Sequence, residues 1–150
     1  MYRTELEMSE KFEKFLKKEF GNSYLKEVSG LFGIPDFVIY DKSGFDSLII
    51  SFELKLKNWK KASIQAFRYR SFSNGSYVVM PKTEFNSPEF SYDHFKKYNI
   101  GLAEFDIEGN FKIVYKPRKE KPYSEKLNKK FSGYVVKSRK KSKNINSLFA

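Results

Sequence analysis

The chain has 150 residues, 40% of them hydrophobic and 18% aromatic, with no cysteine and a formal net charge of +11. That length suits one domain with a sizeable core. The missing cysteines exclude disulfides and thiolate zinc sites, and they point to a reducing, cytoplasmic setting. No apolar run reaches about eighteen residues, and the first five residues lack the apolar stretch of a secretory signal, so neither a membrane helix nor export is expected.

The charge is unevenly spread. Residues 116–143 hold twelve Lys or Arg against two Glu, while the remainder holds 17 positive and 16 negative residues. The sequence thus divides into a nearly neutral body, 1–115, and a basic C-terminal extension, 116–150. Such an extension suits a polyanion, meaning DNA, RNA or an anionic surface. A solvated tail is the plain alternative.

Residues Glu5 to Phe20 predict a helix. Met8, Phe12, Phe15, Leu16 and Phe20 recur at three- and four-residue spacing, with Lys11, Lys14, Lys17 and Lys18 opposite. Thr4 suits the N-cap and Gly21 the C-terminal stop. Glu5 lies near the middle of the apolar stripe, either as a first-turn acid favoured by the helix dipole or as a site residue. Glu13 borders the stripe and is the reserve candidate.

Tyr24 to Val28 predicts a short strand, followed by a glycine-flanked loop, 29–33. Pro35 opens the next strand, where its missing N–H does no harm. Phe37 to Tyr40 is rich in strand formers, and the turn-like stretch 41–47 predicts a hairpin into Leu48 to Leu56. The first half of that strand is apolar on both faces, as in a strand covered on both sides. Side chains two apart share a face, so Ser51, Glu53 and Lys55 point one way and Ile50, Phe52 and Leu54 the other. Three charged groups, Asp36, Glu53 and Lys55, therefore sit in or against apolar strands, which is costly unless they are paired or hold a metal.

Asn58 to Phe72 predicts a helix with Ala62, Gln65, Ala66 and Tyr69 along one side, and Trp59 as a packing anchor at its start. A turn over 73–76 leads to the strand Tyr77 to Met80, closed by Pro81. Residues 82–88 read as a loop and Glu89 to Tyr98 as a helix. Its lone histidine, His94, is expected to face solvent and cannot make a multi-histidine metal site. Ile100 to Asp106 and Phe111 to Tyr115 predict a hairpin around Glu108-Gly109-Asn110. Pro117 and Pro122 break the pattern. Phe131 to Val136 fits either a strand or a helix, and the polar, basic end closes on Leu148-Phe149-Ala150.

Two carboxylates on adjacent strands suit a hard divalent cation such as magnesium, which takes oxygen ligands and keeps several waters. The backbone carbonyl of Leu54 is a further candidate ligand. A lysine beside them can orient an attacking water and offset charge on a phosphate oxygen.

The ordered set of Pro35-Asp36, Glu53-Leu54-Lys55 and Gln65-Ala66-Phe67-Arg68-Tyr69 resembles the PD-(D/E)xK nuclease superfamily, in the branch with a QxxxY element. The likeness spans roughly residues 1 to 80. It implies an α/β, restriction-endonuclease-like mixed sheet flanked by helices. It implies a nuclease that cleaves phosphodiester bonds, most readily in DNA, with Mg2+ or Mn2+. Asp36 and Glu53 would bind the metal, with Leu54 and Glu5 as further ligands. Lys55 would assist catalysis, and Gln65 and Tyr69 would order the site. A homodimer is an expected arrangement, because cutting two strands takes two sites. A non-catalytic nucleic-acid-binding protein on the same fold, or a subunit docking an acidic partner, is the alternative.

Overall fold

The structure is a computed structural model that describes residues 1–42, 47–137 and 143–150. Most of the expected hairpin turn, residues 43–46, and the basic run 138–142 lie outside the described residues. In chain order the elements are α1 (Glu5–Phe20), β1 (Tyr24–Lys26), β2 (Phe37–Asp41), β3 (Leu48–Leu54), α2 (Trp59–Tyr69) and β4 (Gly75–Met80). Then follow α3 (Lys82–Phe85), α4 (Tyr92–Tyr98), β5 (Gly101–Phe105), β6 (Phe111–Tyr115), α5 (Glu125–Lys137) and a 3-10 turn, Asn146–Leu148.

The six strands form one mixed sheet in the order β1-β2-β3-β4-β5-β6. The β3–β4 and β4–β5 pairs are parallel, and the other three are antiparallel. The parallel pairs follow from α2 and α4, because a parallel return needs a crossover long enough for a helix.

The apolar stripe of α1 packs on one face of the sheet. Met8, Phe12, Leu16 and Phe20 are buried there. The Phe12 ring lies 5.5 Å from that of Phe37, 5.2 Å from Phe52 and 5.3 Å from Phe105. Thr4 caps the helix by accepting from the Glu7 N–H, and Gly21 ends it at φ 68°. On the other face, Ala62 and Ala66 bring α2 down onto Val78 and Leu102, with Trp59 as the anchor at the helix start. Beside it, Phe131 and Val135 of α5 pack with Val38, Tyr40, Ile49 and Phe72.

Several expected boundaries move, each for a local reason. β1 stops at Lys26, because Glu27 turns to φ 47°. β4 takes up Gly75 and Ser76, which the sequence reading had put in a turn. The expected loop after Pro81 contains a one-turn helix, α3, with the Glu84 N–H donating to the Pro81 carbonyl. α4 starts three residues late, where the Ser91 hydroxyl accepts from the His94 N–H and caps it. Phe131 to Val136 is helical, within α5.

The basic segment after Lys116 does not trail away from the body. The Arg118 N–H donates to Asn99 Oδ1, and the N–H groups of Glu120, Tyr123 and Ser124 donate to the carbonyls of Asn74, Arg70 and Ser71. The buried Arg70 donates to the Asn99 carbonyl at 3.2 Å, and its Nη2 lies 3.1 Å from Glu120 Oε2. That second approach is a charge contact outside hydrogen-bond alignment. Phe149 closes over Gly75, where an added Cβ would stand 2.7 Å from the phenyl ring. No helix among the described residues is long and apolar enough to cross a membrane.

Candidate active site

Strand register brings the two central acids together. Phe37 pairs with Phe52 on antiparallel strands, so one step outward sets Asp36 opposite Glu53, on the face that carries Val38 and Tyr40. Directly opposed residues of antiparallel strands project to the same side. The Asp36 N–H donates to the Phe52 carbonyl at 3.1 Å, and Asp36 Oδ2 accepts from the Leu54 N–H at 2.7 Å. The backbone of β3 thus holds the aspartate from two points.

Glu53 is buried, only 4% exposed. Its Oε1 accepts from the Tyr69 hydroxyl at 2.6 Å, and that hydroxyl also lies 3.0 Å from the Ile34 carbonyl. Burial first, and then the charge of Asp36, push the Glu53 carboxyl well above its ordinary range. Asp36 is pushed up as well, chiefly by burial, with Glu5 adding and the Leu54 N–H opposing. Tyr69 is held un-ionised by burial and by its bond to Glu53.

These shifts set a pH dependence. A carboxyl whose folded pKa is raised holds its proton longer when folded than when unfolded. Its contribution is fully present below the ordinary carboxylate range and is lost as pH rises through the raised value. The protein without divalent cation is therefore expected to melt at a lower temperature at pH 8 than at pH 5. Glu53→Gln should flatten that slope and raise the midpoint at pH 8, read by circular dichroism in EDTA.

Lys55 follows the end of β3, its N–H donating to the Val79 carbonyl. Its Nζ lies 4.0 Å from Glu5 Oε1 in the first turn of α1. A cavity of about 170 Å³ opens between Glu5, Leu6, Ser9, Glu27, Asp36 and Leu54. A wider cleft of about 560 Å³, lined by Glu5, Lys55 and Lys61 among others, adjoins it through Glu5. The structure therefore brings together Glu5, Asp36, Glu53, Lys55 and Tyr69. Glu13 stands apart: its carboxylate accepts from the Tyr24 hydroxyl at 2.6 Å and from Lys26 Nζ at 3.0 Å.

Gln65 sits one turn before Tyr69 on α2, and its side-chain oxygen is buried without a hydrogen-bond partner. An orphaned buried acceptor costs about 1–3 kcal/mol, so it suits a group that meets water or substrate. Gly33 supports Tyr69 from the loop opposite. It takes φ 81°, and an added Cβ would fall 2.8 Å from Tyr69 Cε1. Gly33→Ala is expected to displace the ring that holds Glu53. The pH dependence of melting that Glu53 sets should change while the fold persists, since the backbone penalty alone is about 1 kcal/mol. Melting curves at pH 5 and pH 8 check this.

The sequence reading missed Glu27. It lines the cavity beside Asp36, and its N–H donates to the Asp36 carbonyl at 3.1 Å. No periodicity marks it, because it lies past the end of β1 in a left-handed conformation. The reading of His94 needs correction. The ring is half-buried, not solvent-facing, with Nε2 2.9 Å from Ser63 Oγ and its centroid 5.3 Å from that of Trp59. Trp59 and Tyr98 enclose it, a tertiary contact that helix spacing does not reveal.

The donor set suits a hard cation. It offers oxygen only, from the buried Glu53 carboxyl and the half-buried Asp36 carboxyl beside it. Among the described residues, their hydrogen bonds use Asp36 Oδ2 and Glu53 Oε1 and leave out the other oxygen of each. Among the described residues, no group of three or more His, Cys, Asp or Glu is arranged to hold a metal ion. Glu5 reaches toward Lys55 instead, with its side chain 52% exposed.

Fold and site together define an α/β protein with a six-stranded mixed sheet flanked by helices and an acid pair where β2 begins and β3 ends. No family model matches the chain, and no curated protein does. A solved structure of a Silicibacter pomeroyi protein of unknown function is similar at TM-score 0.48 and 17% identity, over 81% of this chain and 78% of that one.

Proposed function

We propose that the protein is a metal-dependent nuclease that hydrolyses phosphodiester bonds, in DNA first of all. One observation carries this reading: Asp36 and Glu53 are held opposite each other by strand register, with Lys55 two residues further along the same strand direction. Both acids resist ionisation, Glu53 through burial and then the charge of Asp36, and Asp36 chiefly through burial, which is a situation a divalent cation relieves. When bound by Asp36 and Glu53, Mg2+ or Mn2+ would supply charge neutralisation at the phosphate and acidify a bound water.

The chain's own groups then have separate tasks. Tyr69 fixes the Glu53 carboxyl through its hydroxyl, and the Leu54 N–H fixes Asp36. Lys55 orients the attacking water and offsets charge on a phosphate oxygen. Gln65 presents an amide to the same side. In the reaction water adds to phosphorus and the bond to the leaving sugar oxygen breaks. The water loses a proton to solvent and the leaving oxygen gains one.

The test is a cleavage panel of linear duplex, nicked, branched and single-stranded DNA and RNA with Mg2+, Mn2+ or EDTA. Metal-dependent cleavage of at least one substrate is expected. A second reading, nucleic-acid binding without catalysis, draws on Glu5 pointing to Lys55 rather than completing a trio of acids. Salt-sensitive binding in EDTA with no cleavage in either metal would favour it.

A further inference from the structure

Away from the acid pair, a cavity of about 220 Å³ lies between α2 and α4. It is lined by Ser63, Ile64, Phe67, His94, Tyr98 and Ile100, with no acid among them. On α2, Phe67 and Ser63 occupy the flank opposite Gln65, so one helix separates this cavity from the candidate active site. A helix with its side chains is about 10 Å across.

Three features of the cavity go together. Its apolar walls are exposed: Ile64 is 55%, Phe67 39% and Tyr98 41% accessible. The Phe67 and Tyr98 rings stand 6.1 Å apart at 82°, making an aromatic corner, and Tyr123 extends it at 5.5 Å from Phe67. Cations stand round it. Lys97 Nζ lies 5.5 Å over the Tyr98 ring, and Lys60 Nζ lies 5.7 Å over the neighbouring Trp59 ring.

The polar groups inside are neutral. Ser63 Oγ donates its one proton to the Lys60 carbonyl at 2.8 Å, so the 2.9 Å contact with His94 runs from the histidine Nε2–H to Ser63 Oγ. Burial, and then the charges of Lys60 and Lys97, hold His94 below its usual pKa. Such a histidine keeps a lone pair on Nδ1 at neutral pH.

We infer that this cavity receives an unpaired nucleobase of a single-stranded nucleic acid. A base is flat, aromatic and neutral with polar edges, and its two flanking phosphates are anionic. An aromatic corner flanked by Lys97 and Lys60 matches all of those properties. A lipid chain would match the walls but not the rim. A second copy of this chain would bring its own excess of positive charge against Lys60 and Lys97. The site rests on the nucleic-acid substrate proposed above and narrows it to a strand with at least one base out of its pair.

The test measures binding in EDTA, apart from cleavage. The probes are a labelled single-stranded DNA, its duplex, and a strand of equal length made abasic at its central positions. Phe67→Ala and Tyr98→Ala should each weaken single-strand binding about tenfold. Binding of the duplex and of the abasic strand should change less than about twofold. Both side chains are partly exposed, and far-ultraviolet circular dichroism confirms that the variants fold. If a variant loses its fold, Ile64→Ser on the same wall takes its place, with the same result expected.

Single-strand affinity left unchanged by these variants overturns the inference. So does an equal loss on all three probes, or a change of oligomeric state by light scattering in place of a change in affinity. The two proposals fail separately. Base-dependent binding without cleavage would leave this pocket standing and remove the nuclease. Cleavage that is indifferent to Phe67 would do the reverse.

Discussion

Lys55→Ala is expected to lower magnesium-dependent cleavage at least about a hundredfold while leaving the melting midpoint near that of the native chain. The side chain lies past the end of β3 and meets Glu5 only at 4.0 Å, a contact of the kind worth a few tenths of a kcal/mol to stability. The strand keeps its place through the Lys55 N–H, which any residue but proline supplies. Glu53→Ala should abolish cleavage by the same assay, for a different reason. It removes one of the two acids proposed to bind metal and leaves the Tyr69 hydroxyl with the Ile34 carbonyl alone. Its stability at pH 8 should nonetheless not fall far, because a buried acid that resists ionisation is itself a cost there. Activity and stability thus move apart at this residue, as expected where a site is held in a strained state for function. Cleavage that persists in both variants would remove the catalytic assignment and leave the acid pair without a role.

Phe131→Ala tests the part of the chain with the largest excess of positive charge. If residues 125–137 were a solvated tail, the change would cost less than about 0.5 kcal/mol. The Phe131 ring is instead fully buried, 5.8 Å from that of Phe72, in the cluster that also contains Tyr69. Truncating an aromatic in such a place costs about 3–5 kcal/mol. In a chain of this length that lowers the melting midpoint by on the order of 10 °C. Tyr134→Ala on the exposed side of α5, 43% accessible, is the control and should shift it little. Activity should fall with Phe131→Ala even below the transition, since the cavity opens beside Phe72, whose ring lies 6.3 Å from that of the tyrosine that holds Glu53.

Much of the site was legible because it rests on short-range order. The three- and four-residue spacing of Met8, Phe12 and Leu16 set α1. The alternation along Ser51, Phe52, Glu53 and Leu54 set which side chains share a face. The hairpin reading put Asp36 on the strand next to Glu53. What was not legible depended on partners distant in sequence. His94 looked polar and exposed on a short helix, but Ser63 lies 31 positions before it and the two meet only when α4 docks on α2. Glu27 carried no pattern because its backbone leaves the strand. Gly33 read as one more loop glycine until Tyr69, 36 residues later, came to rest against it.

The sequence by itself determined α1, α2, α4 and the strands, their order, and the acids and lysine that the strands carry, whereas it read α3 as loop and left α5 open between strand and helix. Those follow from local periodicity, capping and turn chemistry, which act within a few residues. Only the tertiary structure decided that the basic C-terminal helix covers the sheet, that Glu5 turns to Lys55, and that α2 shows an acid-holding tyrosine on one flank and an aromatic corner on the other. Charge counts describe solubility and attraction, whereas burial is decided by which apolar faces find each other. Phe131 and Val135 had to be covered, and the sheet face over Val38 and Ile49 was where they could be.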